Sequence, residues 1–191
     1  MNHIAIFASG AGTNAGNIIR YFDQRPTVRV ELIVSGRADA GVVGIAREAG
    51  IHCESITKEM LGNTDELLKM LGRHDIDLIV LAGFLWLIPL QLIRAYPQRI
   101  INIHPALLPK YGGKGMYGAH VHRAVIAAGE RESGISIHYV NEQYDEGAII
   151  FQASCPVLPT DTADVLAARI HKLEYAHYPK VIEQLLSADG N

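Results

Sequence analysis

The chain has 191 residues and a net charge of -3, from 17 Lys and Arg against 20 Asp and Glu. Its length suits one α/β domain with its own core, and 49% hydrophobic with 19% charged residues is an ordinary globular balance. No two Lys or Arg are adjacent, which argues against a nucleic-acid footprint, and no apolar run nears the ~18 residues that span a bilayer.

The N-terminal "MNHIAIFASG" has no basic segment ahead of a long apolar one, so it does not read as a signal peptide. Cys53 and Cys155 lie far apart in strand-like contexts and read as free thiols. The expected location is the cytoplasm.

In chain order, "HIAIFAS" (3–9) reads as a buried strand, "GAGTN" as a tight turn and "AGNIIRYF" as a helix. "VRVELIVS" (28–35) makes a second strand. Residues 40–50 read as a helix closed by a glycine, and "HCESIT" as a third strand. "NTDELLKMLGRH" spaces Leu67, Leu68 and Leu71 as a helix does, with Asn63 or Thr64 as its cap. "IDLIVLAG" is a buried strand, "PLQLIRAY" a short helix opened by Pro89, and "IINIH" (100–104) another strand.

Residues 119–130 read as a helix. "ESGISIHYV" and "GAIIFQASCPV" read as an antiparallel strand pair around the loop "NEQYDEG". "TDTADVLAARIHKLEYAHYPKVIEQLL" is a long amphipathic helix, capped by Asp161 and kinked at Pro179, with Val165, Ile170, Leu173, Val181 and Leu185 on or near its inner face. The fold expected is a single α/β domain over residues 1–187. Its mostly parallel, Rossmann-like sheet is flanked by helices, with an antiparallel strand pair late in the chain and a frayed tail at 188–191.

Several stretches admit two readings. "SGAGTN" (9–14) is either a plain βα turn or a phosphate seat built from Gly12, Thr13 and Asn14 at a helix N-terminus. Gly10, Gly12 and Ala15 fit the loose G-x-G-x-x-[GA] pattern, but no acidic residue closes the second strand to hold a ribose.

Asn102 and His104 sit two apart on a strand, so both project to one side and emerge at its carboxyl end, while Ile101 and Ile103 face a helix layer. They are either hydrogen-bonded core groups or an amide donor beside a protonatable imidazole, suited to a carbonyl oxygen that becomes negative. Asp145 is a solvated turn residue or a carboxylate partner of His104. Glu174 is an exposed helix charge or a ligand contact. "AGFLWLIP" (82–89) is a core corner or an apolar slot for a flat aromatic ligand. The histidines show no accepted metal spacing, so no metal is expected.

Taken together, "SGAGTN", "VLAGFLWLI", "NIHPALLPKY", "VNEQYDEGAII" and "LEYAHYP" resemble the folate-dependent formyltransferases, and within them the phosphoribosylglycinamide formyltransferases. The likeness spans Ser9 to Pro179. It implies formyl transfer from 10-formyltetrahydrofolate to the amine of glycinamide ribonucleotide in purine biosynthesis. It also implies Asn102, His104 and Asp145 as the catalytic trio, with the phosphate on Gly12, Thr13 and Asn14 and the ribose hydroxyls on Glu174. The folate would lie against Phe84, Leu85, Trp86, Leu87 and Ile88, with Val140, Asn141 and the residues up to Asp145.

The glycine-rich loop Tyr111–Gly118 looks longer than in some relatives and is expected to act as a lid, and Trp86 stands where several relatives carry a charge. The partners implied are these small molecules, with neither nucleic acid nor membrane, and a monomer or homodimer. The rival readings are another folate-dependent formyltransferase, a formyltetrahydrofolate deformylase, and a non-catalytic nucleotide- or folate-binding module.

Overall fold

The computed structural model describes residues 1–188 of the chain. Seven strands form one sheet in the order β3-β2-β1-β4-β5-β6-β7. They are β1 (Asn2–Ala8), β2 (Val28–Ser35), β3 (His52–Ser55), β4 (Leu78–Leu81), β5 (Ile100–His104), β6 (Glu132–Tyr139) and β7 (Ile149–Pro156). The first five pair in parallel, and β5, β6 and β7 pair antiparallel. The helices are α1 (Thr13–Phe22), α2 (Gly41–Glu48), α3 (Lys58–Gly62), α4 (Thr64–Arg73), α5 (Leu90–Ala95), α6 (Ala119–Ala127) and α7 (Ala163–Ala188).

Side chains alternate across the strands into two separate cores. Ile4 and Ile6 of β1, Val80 of β4, and Ile101 and Ile103 of β5 pack under α1, α2, α6 and α7. Ala5, Phe7, Ile79 and Ile100 pack with Leu67, Met70 and Leu92 of α4 and α5. Strand β2 changes phase midway: Val30 belongs to the first core and Leu32 to the second. The register against β1 skips Glu31 at the same point, from Ile4↔Val30 to Ala5↔Leu32. One bulged residue thus swaps the faces of the rest of the strand.

Three differences from the sequence reading have local causes. Thr57 does not extend β3; its hydroxyl accepts the Met60 N–H at 3.1 Å and caps the short helix α3, which periodicity alone did not reveal. Asp161 does not cap α7. Its carboxylate takes the Leu158 N–H and pairs with Arg169, while the Thr162 hydroxyl accepts the Val165 N–H at 3.3 Å. Val165 accordingly faces solvent, and Leu166 is the buried residue of that turn.

Asn63 holds the position before α4 without a side-chain capping bond. The helix at 40–50 ends as expected: Gly50 has φ 66°, Gly50 N–H bonds Arg47 O and Ile51 N–H bonds Ala46 O, a Schellman closure. Pro179 lies inside α7, which runs to Ala188. Residues 189–191, most of the expected tail, lie outside the described residues.

The chain order turns back between β1 and β4, and a doubly wound sheet opens a crevice at such a point. The buried Tyr178 of α7 pins the helix layer beneath it, donating its hydroxyl to Leu81 O at the end of β4 (2.9 Å).

Candidate active site

A cleft of about 640 Å³ opens over the carboxyl ends of β1, β4 and β5. Every candidate residue except Asn141 lines it. Asn141 instead accepts the Gln143 N–H on its own Oδ1 at 3.0 Å and shapes the loop that follows β6. Phe84 and Ile88 are buried, Trp86 is half-buried, and Leu85 and Leu87 are exposed at the lip. Val140 packs on the same core as Phe84 and Trp86. The "AGFLWLIP" segment is therefore both a core corner and an apolar wall.

Asn102, His104 and Asp145 meet. Asp145 has φ 58°, a left-handed conformation that turns the loop back over β5. Its Oδ2 accepts the Gly113 N–H at 2.9 Å and lies 3.5 Å from His104 Nδ1. Its Oδ1 accepts from Asn102 Nδ2 at 3.4 Å. The loop after β5 is fixed by buried Ser136, which donates to Ala106 O at 2.7 Å and accepts the Leu108 N–H at 2.9 Å.

A fourth member was not singled out in the sequence. His138 of β6 is the cross-strand partner of Asn102. Its Nδ1 donates to Tyr139 O at 2.8 Å, and its Nε2 lies 3.1 Å from Asn102 Nδ2. Nε2 also lies 3.6 Å from Asp145 Oδ1. The sequence signal was Ser136 and His138 alternating with Ile135, Ile137 and Tyr139, but the register that sets His138 against Asn102 could not be read from it.

The electrostatics separate the roles. His104 is 3% exposed, and its Nε2 donates to Tyr111 O at 2.7 Å. Burial draws the ring's pKa below the ordinary histidine value, and Asp145 and the Tyr111 carbonyl only partly offset it. Burial pushes the Asp145 carboxyl up, but His138, His104 and the Gly113 N–H together bring it below the ordinary range. The arrangement is an ionised carboxylate beside an imidazole held toward its neutral form, with Nδ1 as the basic nitrogen.

At the other end of the cleft, Gly12 sits before α1 with φ 76°. A Cβ there would stand 2.7 Å from Val42, so the turn admits only glycine. The first N–H groups of α1 then face the cleft without helical partners. Thr13 is exposed there.

Glu174 is not an exposed helix charge: it is 5% exposed, accepting from Asn14 Nδ2 at 2.9 Å and facing His171 Nδ1 at 2.8 Å. The bond to Glu174 raises the His171 pKa. Lys110 does not line the cleft and pairs with Glu130 at 3.0 Å. Among the described residues no cluster of His, Cys, Asp or Glu is arranged to hold a metal, and no helix is long and apolar enough to cross a membrane.

Three buried polar atoms on residues lining this cleft lack a hydrogen-bond partner: Ser9 Oγ, Asn14 Oδ1 and His122 Nδ1. Buried polar atoms are nearly always paired, by protein groups or by ordered water, and these three are enclosed behind the cleft wall.

Known proteins resemble this chain over nearly its whole length. The formyl transferase family profile matches residues 2–182. A chloroplastic phosphoribosylglycinamide formyltransferase of Arabidopsis thaliana is 41% identical over 94% of this chain, which spans 63% of that protein. Phosphoribosylglycinamide formyltransferase of Bacillus subtilis is 36% identical over 100% of this chain and 97% of its own length. The crystal structure of the Coxiella burnetii phosphoribosylglycinamide formyltransferase superposes with a TM-score of 0.89 at 36% identity, covering 98% of this chain and 88% of that one.

Proposed function

The chain belongs to the formyl transferase family, and on that premise we propose that it transfers the formyl group of 10-formyltetrahydrofolate to the amine of glycinamide ribonucleotide, a step of purine biosynthesis. The observation that carries this reading is the meeting of Asn102, His104 and Asp145 in a cleft that also holds a glycine turn at a helix N-terminus.

The phosphate sits on the N–H groups of Gly12, Thr13 and Asn14, where a helix start favours an anion without any Lys or Arg. Glu174 accepts the ribose hydroxyls, held in place by Asn14 and His171. The folate ring lies in the apolar wall of Phe84 to Ile88, closed by Val140. Asn141 acts only by shaping the loop that carries Asp145.

The amine attacks the formyl carbon, a C–N bond forms, and the carbonyl electrons move onto oxygen. The new ammonium proton passes to His104 Nδ1, whose neutral form is favoured by burial. The resulting imidazolium is stabilised by Asp145 at 3.5 Å. That distance exceeds a charge-assisted bond of about 2.7–2.9 Å, so the Nδ1–H stays available to the reacting groups.

Asn102 turns the hydrogen of its long 3.4 Å bond to Asp145 onto the oxyanion. One such donor typically contributes about 2.7–4 kcal/mol. His104 then hands its proton to the leaving folate nitrogen as the old C–N bond breaks and the carbonyl re-forms. His138 keeps Asn102 oriented throughout.

The test is tetrahydrofolate release followed spectroscopically with and without glycinamide ribonucleotide. Release only with the acceptor supports the transferase. Equal release without it selects a deformylase, and no release in either case leaves a binding module.

A further inference from the structure

His122 takes no part in the chemistry above, yet it is one of the most buried polar side chains of the cleft. It is 3% exposed, and its Nδ1 has no hydrogen-bond partner. It lies in the first half of α6, lines the cleft, and is within electrostatic reach of both His104 and the His171–Glu174 pair. Burial, and then the nearby His171, keep the ring on the neutral side. A neutral imidazole offers one donor and one acceptor. A buried histidine with an unmatched nitrogen is costly, and because that nitrogen is enclosed the ring must turn for a ligand to supply the match.

Its place in the fold says which part of the ligand that is. Helix α7 packs against α1 on one flank and α6 on the other. The phosphate seat opens α1, Glu174 and His171 lie on α7, and His122 lies on α6. A ribonucleotide with its phosphate on α1 and its ribose over Glu174 carries its remaining arm toward α6 and His104.

We infer that His122 binds the glycinamide arm of the acceptor, pairing with an N–H or carbonyl of that arm, and so positions the amine before His104. The inference rests on the formyl-transfer reading above and names the group that distinguishes this acceptor from a bare sugar phosphate.

The experiment compares wild type with His122→Phe and His122→Asn. The readouts are the ribonucleotide KM, the KM for the formyl-folate donor, and inhibition by ribose 5-phosphate, which has the phosphate and sugar but no arm. His122→Phe raises the ribonucleotide KM at least about tenfold. The folate KM and the ribose 5-phosphate inhibition constant stay within about twofold of wild type. Asparagine, which keeps a donor and an acceptor, recovers part of the loss.

A parallel weakening of ribose 5-phosphate assigns His122 to structural support of the sugar site and overturns the inference, as does an unchanged ribonucleotide KM. If the phenylalanine variant does not fold, His122→Asn decides by the same comparison: a selective rise supports the inference and a parallel rise overturns it. Absence of acceptor-dependent turnover in wild type ends the formyl-transfer reading itself and this inference with it.

Discussion

The carboxylate of Asp145 lies 3.5 Å from the Nδ1 of His104, although one sits in a loop after β6 and the other at the end of β5. The Gly113 N–H holds the same oxygen at 2.9 Å. Three separate segments therefore fix one carboxylate–imidazole pair.

Removing either partner should cost turnover far more than folding. His104→Ala and Asp145→Asn are each expected to lower kcat about 100-fold or more. Thermal melts should stay close to wild type for Asp145→Asn, which keeps an acceptor for Gly113. Steady-state formyl transfer and circular dichroism check both; wild-type turnover in either variant contradicts the assignment.

The loop that aims Asp145 can be disturbed without touching a reacting group. A Cβ at Gly147 would run into the Tyr139 carbonyl. Gly147→Ala is therefore expected to shift the loop and lower kcat at least about tenfold, with folate binding weakened to a lesser degree as Val140 moves. Stopped-flow folate binding alongside turnover separates the two effects.

The acceptor end should respond separately. Asn14 donates to Glu174 at 2.9 Å, so Asn14→Asp sets two carboxylates face to face. The ribonucleotide KM is expected to rise at least about tenfold while the folate KM holds. Equal loss for both ligands would argue against a dedicated phosphate and ribose seat.

Acid should destabilise the fold. His104, His122 and His177 are all held below the ordinary histidine value, chiefly by burial. Below about pH 6.5 the unfolded chain then binds more protons than the folded one, and stability falls with pH. Asp145, depressed in the fold, adds stability above its unfolded pKa that is lost as pH falls through its folded value. His171 runs the other way: raised by Glu174, it stabilises in acid and loses that contribution as pH rises through its folded value. The urea midpoint is expected to drop between about pH 7.5 and 5.5, and to drop less in His104→Asn. A midpoint that rises on acidification contradicts the burial argument.

Much of this architecture was legible because strand and helix periods are local. The strand at 28–35 was read to the residue, and Asn102 and His104 share a side of β5 by alternation alone. What failed was set by tertiary pairing. The capping role fell to Thr162 because Arg169 claims Asp161. The local pattern left Glu174 as either a surface charge or a ligand contact, and only the approach of Asn14, from the first helix, and His171 shows it buried. His138 gains its place only through the β5–β6 register, and the bulge at Glu31 has no marker in composition.

A double-mutant cycle on acceptor-dependent turnover, with His104→Ala, Asp145→Asn and the pair combined, tests most directly whether these groups work as one unit. The double variant is expected to be little slower than the worse single variant, because each loss already disables the shared proton transfer. Losses that simply multiply would show two independent residues and contradict the account.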